Sequence, residues 1–124
     1  MSLPVLVVED CEAVGLVLER LLANIDEDIT VHIARNSADA RQFLKSGNSF
    51  CAIFLDNDLG PNEEGAGMQL LEEVRETGSD VPVIWISGSE FPKKCCDYGV
   101  TQMWKPFCPD DVAKTVAQVI GVVV

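Results

Sequence analysis

The chain has 124 residues, a length typical of one domain that buries enough apolar surface to fold without disulfides or metals. Its 20 acidic and 9 basic side chains give a formal net charge of −11, which argues against a direct nucleic-acid partner. The sequence lacks both a secretory signal and an apolar run of the roughly 20 residues that span a bilayer, so we expect a cytoplasmic protein without membrane contact. Five cysteines without a Cys-x-x-Cys pair, and a single histidine, predict neither a disulfide framework nor a zinc site.

Apolar segments of strand length alternate along the chain with segments of helical spacing. The strands Val5–Val8 and Ala52–Leu55 are continuously apolar, as expected when helices cover both faces of a parallel sheet. The pattern therefore predicts an α/β fold with a doubly wound, five-stranded parallel sheet. In chain order, the predicted elements are strand Val5–Val8, helix Val14–Leu22, strand Ile29–Ala34, helix Ser37–Lys45, strand Cys51–Leu55, helix Met68–Val74, strand Val81–Ile86, a short helix Glu90–Asp97, strand Val100–Trp104 and helix Asp110–Ile120.

Charged and hydroxyl side chains follow the carboxyl ends of the predicted strands, where open parallel sheets bind ligands. Glu9 and Asp10 follow the first strand and Asp56 ends the third. Ser87 follows the fourth strand and Lys105 the fifth. If the first and third strands are neighbours, their carboxylates converge and need a cation, for which hard oxygen ligands favour Mg²⁺. A carboxylate beside Mg²⁺, an amine and a hydroxyl is suited to accept a phosphoryl group, so Asp56 is the predicted nucleophile.

Four segments together resemble the receiver (CheY-like) domain of two-component response regulators, over essentially the whole chain. They occur in the family's order with plausible spacing. The resemblance implies a flavodoxin-like sheet of strand order 2-1-3-4-5 flanked by five helices, in one receiver domain over residues 1–124. The segments are Val5–Asp10, Ala52–Asp56, Pro82–Ser87 and Lys105–Phe107.

The same resemblance implies a signalling phosphoacceptor. Asp56 would take a phosphoryl group from a sensor histidine kinase or a phosphotransfer protein, and the resulting conformational change would alter contacts with a downstream protein. Ser87 would contact the phosphoryl group and Lys105 would bridge it to the aspartate. No enzyme activity is expected beyond self-phosphotransfer and slow autodephosphorylation, and a homodimer is one possible assembly.

The metal ligands that the resemblance implies are Glu9, Asp10, Asp56 and the backbone carbonyl of Asp58. Glu9 stands where receivers usually carry an aspartate, a change that keeps the charge and lengthens the side chain. We therefore expect Mg²⁺ to bind with a slightly different geometry.

The expected switch residues are Ser87, Gln102 and Trp104. Gln102 occupies a position where receivers usually carry a tyrosine or phenylalanine that swings inward on phosphorylation. Trp104 lies two residues further along the same strand and hence on the same face, so we interpret it as a candidate substitute. The interval between Ser87 and Lys105 is shorter than in other receivers, which predicts a fourth helix trimmed by about one turn of roughly 3.6 residues.

Two other functions fit parts of the sequence. Gln102 and the short fourth helix are compatible with a pseudo-receiver, a protein-interaction module that phosphorylation does not regulate. The segment Phe54–Asp58 also resembles the nucleophile motif of haloacid-dehalogenase-type phosphatases. Ser87, Lys105 and Asp110-Asp111 occur in the order of the later motifs of those enzymes. That second alternative is disfavoured, because the paired aspartates follow Lys105 too closely for a strand to deliver them.

Overall fold

The computed structural model describes residues 2–47, 49–57, 59–60, 65–88 and 98–121, which form five strands and four helices. The described residues thus contain four helices where five were expected, and the predicted short helix Glu90–Asp97 lies outside them. No helix in the described part of the chain is long and apolar enough to cross a bilayer. The elements are β1 Leu3–Val8, α1 Glu12–Ile25, β2 Ile29–Ala34, α2 Ser37–Lys45, β3 Ala52–Asp56, α3 Ala66–Glu76, β4 Val83–Ser87, β5 Thr101–Trp104 and α4 Pro109–Ile120.

The strands form one parallel sheet in the order β2-β1-β3-β4-β5, which confirms the predicted strand order. The central neighbours are β1 and β3, and their register pairs Val8 with Leu55. Glu9 directly follows Val8 and Asp56 directly follows Leu55, so the sheet brings Glu9 and Asp56 to the same edge. On the other side, β4 and β5 pair Ser87 with Trp104, which places Lys105 directly beyond that edge.

The strands are apolar on both faces because helices cover both faces, as the sequence predicted. Successive side chains of a strand point to opposite sides, and two separate clusters of buried residues result. In β1, Leu6 packs in the cluster that includes α2 and α3, whereas Val7 packs in the cluster that includes α1 and α4. Each helix contributes a buried stripe to its cluster, such as Leu18 and Leu22 in α1.

Local capping groups fix where two helices begin. Asn36 is the residue before α2, and its side-chain oxygen accepts a hydrogen bond from the Asp39 backbone N–H at 2.8 Å. Pro109 opens α4, where its missing N–H costs no helical hydrogen bond. In the same helix, the Asp111 carboxylate accepts a hydrogen bond from the Cys108 backbone N–H at 3.0 Å. α2 thus begins at Ser37 as predicted, and α4 begins one residue before the predicted Asp110.

Candidate functional site

Three carboxylates meet at the carboxyl edge of the central strands. Glu9, Asp10 and Asp56 each offer an oxygen, and these oxygens all lie within 4.8 Å of one another. Glu9 and Asp56 are buried, with 1% and 2% of their surfaces exposed, whereas Asp10 is exposed. The cluster is therefore reached from solvent on the side of Asp10.

Lys105 supplies a positive charge to this cluster. Its Nζ lies 3.1 Å from Glu9 Oε2 and 3.2 Å from Asp56 Oδ2. The Lys105 backbone N–H donates to the Ser87 carbonyl at 2.9 Å, which continues the β4 and β5 ladder and fixes where the side chain starts. Burial lowers the pKa of Lys105, but the charges of Asp56 and Glu9 outweigh burial and leave that pKa above its ordinary value. The ammonium group is therefore charged at neutral pH.

Glu9 is the most perturbed acid of the site. Burial, followed by a hydrogen bond and charge repulsion from Asp56, raises the pKa of Glu9 to about 8, and Lys105 only partly opposes this. The Cys11 backbone N–H donates to Glu9 Oε1 at 3.2 Å. At neutral pH, burial and the neighbouring Asp56 therefore favour the protonated form of Glu9 in the metal-free protein.

This arrangement of residues fits a divalent cation. Glu9 Oε2 is fully buried and accepts no hydrogen bond from the described residues, although it lies close to the Lys105 ammonium. A buried carboxylate oxygen that makes no well-aligned hydrogen bond has lone pairs left to ligate a metal. Three carboxylates with one open side suit Mg²⁺, which takes few protein oxygens and keeps several waters. The fourth predicted ligand, the backbone carbonyl of Asp58, lies outside the described residues.

Ser87 ends β4 and is 2% exposed. The residue before it, Ile86, pairs with Asp56 and accepts a hydrogen bond from the Asn57 backbone N–H at 2.9 Å. The sheet thus places Ser87 at the same edge as the acidic cluster.

A close contact beneath the site was not predicted. A Cβ atom built on Gly67, in the first turn of α3, would lie 3.0 Å from the Asp56 carbonyl oxygen and 3.3 Å from Trp85 Cη2. Only glycine lets the helix approach the end of β3 and the buried indole so closely. The available sequence signal was a glycine directly before the predicted helix Met68–Val74, because glycine allows a close backbone approach.

The two predicted switch residues of β5 lie at the surface. β5 is an edge strand in which Met103 is buried, whereas Gln102 and Trp104 are exposed. Trp104 is 55% exposed. The structure thus places the indole outside the acidic cluster, although Trp104 pairs in register with Ser87.

The paired aspartates after Lys105 do not join the acidic cluster. Asp110 and Asp111 lie in the first turn of α4, and Asp111 accepts the capping hydrogen bond from Cys108. Neither belongs to the group of carboxylates that could hold a metal among the described residues. The arrangement that a haloacid-dehalogenase-type phosphatase requires is therefore not formed.

Comparison with known proteins identifies the family. The family model of the response regulator receiver domain matches residues 5–117, so the chain belongs to the response regulator receiver family. A comparison with curated proteins gives no match. The family is a class of signalling modules rather than of classical enzymes, and the earlier resemblance to it is confirmed.

Solved structures of receiver domains share the fold at low sequence identity. A signal receiver domain from Vibrio parahaemolyticus has a TM-score of 0.84 and 20% identity, over 98% of this chain and 92% of that chain. A CheY-like receiver domain from Methylobacillus flagellatus has a TM-score of 0.82 and 19% identity, over 96% of this chain and 99% of that chain. NtrX from Brucella abortus has a TM-score of 0.80 and 20% identity, over 98% of this chain and 26% of that longer chain.

Proposed function

We propose that this chain is a phosphoacceptor in a two-component phosphorelay. Asp56 would take a phosphoryl group from the phosphohistidine of a sensor histidine kinase or phosphotransfer protein. The observation that carries the proposal is the contact of Lys105 Nζ with the buried Asp56 carboxylate, 3.2 Å from Oδ2, at the carboxyl edge of a receiver-family sheet. Residues 1–124 would act as one such domain, in the cytoplasm.

The transfer is a nucleophilic displacement at phosphorus. An Asp56 carboxylate oxygen forms the new O–P bond while the N–P bond of phosphohistidine breaks, and the electron pair of that bond stays on the imidazole nitrogen. The Lys105 ammonium, already held against Asp56, would offset the negative charge of the phosphoryl oxygens. The phosphoryl donor would enter from the exposed side of the cluster at Asp10.

Glu9, Asp10 and Asp56 would hold Mg²⁺, with the Asp58 backbone carbonyl as a further ligand. When bound, the ion supplies positive charge that orients and neutralises the phosphoryl oxygens. Glu9 would release its proton on becoming a ligand, so that metal binding and deprotonation are linked. Its buried Oε2 is the best-placed oxygen to gain a partner in this way.

Ser87 would report the phosphoryl group by donating its hydroxyl hydrogen bond to a phosphoryl oxygen. A shift of Ser87 would pass to β5, because Ser87 and Trp104 pair in register. Trp104 and Gln102, both exposed, would then form part of the surface that changes its protein contacts, either with a downstream target or with a second copy of the chain.

A pseudo-receiver is the second candidate function. It is favoured by Gln102, which replaces the usual inward-swinging aromatic side chain and is exposed in this structure. A pseudo-receiver would keep the fold and its protein contacts but would gain no phosphoryl group.

The experiment that separates the two candidates is incubation with acetyl phosphate and Mg²⁺, followed by intact-mass and Phos-tag analysis. We expect one phosphoryl group, stable in acid and lost in base, on the wild type and none on Asp56→Asn. No adduct on a folded wild type that still binds Mg²⁺ would support the pseudo-receiver. Repeated turnover of an aryl phosphate would contradict both readings, because only a phosphatase regenerates its nucleophile quickly.

A further inference from the structure

A cavity lies at the end of the sheet opposite the acidic cluster. It has a volume of about 600 Å³ and opens between the carboxyl-terminal halves of α2 and α3, beside the segments that lead into β3 and β4. Ligand sites in proteins typically measure about 300–1,000 Å³. The cavity is therefore large enough for a small organic molecule, and it shares no residue with the proposed phosphoacceptor site.

The cavity exists because α2 is short. α2 has nine residues, the fewest of the four described helices, and it ends at Lys45. Gly47 then turns the chain with a φ of 84°. As a result, the helix stops before it covers Phe50 and the start of β3. These apolar residues, together with Val74 of α3, form the floor of the cavity.

The floor is also loosely packed. A second, smaller void of about 10 Å³ lies in the adjacent core, and it shares Leu44, Ile53 and Val74 with the cavity. Its lining is apolar throughout, so a water molecule would find no polar partner there. An apolar group that enters the cavity would gain contacts with Leu44, Ile53 and Val74, which line both spaces.

The cavity is lined by two basic and two acidic side chains, and Lys45 is the one that can receive an anionic ligand. Arg41 is paired with Glu73, with Nε 3.0 Å from Oε2, and Asp80 acts electrostatically on Arg75. Lys45 is exposed and has no carboxylate within 4.0 Å among the described residues. Among the charged side chains that line the described cavity, Lys45 is thus the one without an ion pair or an electrostatic partner among the described residues. In a chain of net charge −11, an unpaired lysine beside an apolar cavity points to a negatively charged head group.

We propose that this cavity binds an amphipathic organic acid, with an aromatic or branched apolar body against Phe50, Ile53 and Val74 and a carboxylate at Lys45. The proposal is independent of phosphorylation at Asp56. An apolar body without a charge would bind more weakly, because only the carboxylate can pair with the ammonium group.

The test uses 4-phenylbutyrate as probe and its uncharged amide as matched control, added to ¹⁵N-labelled protein and followed by NMR. We expect the acid to shift the backbone signals of Ile53, Val74 and Thr77. The acid should bind more tightly than the amide to the wild type, by up to about fivefold, the upper end of what an exposed ion pair contributes. Lys45→Met should remove that difference, whereas Lys114→Met, on α4, should leave it unchanged.

A filling variant tests the cavity itself. Thr77 lines the cavity and is exposed, so Thr77→Trp can fill the opening without disturbing the core, and it should abolish binding of both probes. Asp56→Asn should bind them as the wild type does, which separates this proposal from the proposed phosphotransfer. The proposal is overturned if neither probe shifts the cavity signals, if the acid and the amide bind the wild type equally, or if Thr77→Trp binds normally.

Discussion

Gly67 and Gly15 are both helical glycines, and replacement of each by alanine should change the stability in opposite directions. A Cβ at Gly67 would lie 3.0 Å from the Asp56 carbonyl oxygen and 3.3 Å from Trp85 Cη2. A Cβ at Gly15, in α1, would meet only Ile33 side-chain atoms, at 3.6 and 3.7 Å, which are ordinary van der Waals distances. The two substitutions add the same methyl group to different surroundings.

The magnitudes follow from two opposing terms. Alanine is favoured over glycine in a helix interior by about 1 kcal/mol, which Gly15→Ala should gain in large part. At Gly67 that gain is smaller because the residue lies in the first turn, and overpacking against backbone costs about 1–3 kcal/mol. We therefore expect Gly67→Ala to lower the free energy of unfolding by about 1–2 kcal/mol. The displaced atom is the backbone carbonyl oxygen of Asp56, whose side chain is a proposed Mg²⁺ ligand. The Mg²⁺ affinity of Gly67→Ala should therefore be lower than that of the wild type.

Urea denaturation followed by tryptophan fluorescence measures the stability of both variants against the wild type, and Mg²⁺ titration measures the effect on the site. Gly15→Ala serves as the control, because it tests the helix term without the close contact. The reasoning is refuted if Gly67→Ala is stabilised as much as Gly15→Ala, or if it binds Mg²⁺ as the wild type does.

Three further predictions concern the charged groups. Because the folded protein raises the pKa of Glu9 from 4.5 to about 8, the stability that its protonated form contributes is complete below about pH 4.5 and is lost as the pH rises to 8. Urea unfolding in EDTA should therefore show that the wild type loses stability over this pH window and that Glu9→Gln loses less. Parallel curves of unfolding free energy against pH for the two proteins would contradict the prediction. Lys105→Met removes the positive charge nearest the carboxylates, so calorimetry should show tighter Mg²⁺ binding while the rate of adduct formation falls; unchanged affinity would count against the contact. Hydrogen bonds from Cys108 lower the pKa of Asp111, so Asp111→Ala should lower the Tm at neutral pH. The difference in Tm from the wild type should vanish as the pH falls through that lowered pKa. An equal difference in Tm at low and neutral pH would contradict a charge-dependent cap.

The sequence was sufficient for the sheet and for the edge at which the charged residues collect. Continuous apolar strands require cover on both faces, and parallel strands must end at a common edge. Glu9 and Asp56 were therefore expected together once β1 and β3 were taken as neighbours, and the register of Val8 with Leu55 brings this about. Lys105 follows the last strand of the same sheet and reaches the same edge by the same rule.

The environment of each residue at that edge could not be derived in the same way. Glu9 and Asp10 are adjacent in sequence, yet Glu9 is buried and Asp10 is exposed. The contact of Gly67 with Trp85 likewise joins residues from different elements. Strand alternation placed Trp104 on the face of Gln102, but it did not reveal that both side chains are exposed. These properties depend on how helices and loops pack, which a local pattern does not encode.

The central claim is that Asp56 accepts a phosphoryl group with the help of Mg²⁺. The most direct measurement is borohydride reduction of protein treated with acetyl phosphate, followed by peptide mass spectrometry, because reduction marks an acyl phosphate at the residue that carried it. We predict a mark at Asp56 alone, formed with Mg²⁺ and not in EDTA. A mark at another carboxylate, or none on folded protein with Mg²⁺ present, would contradict the account.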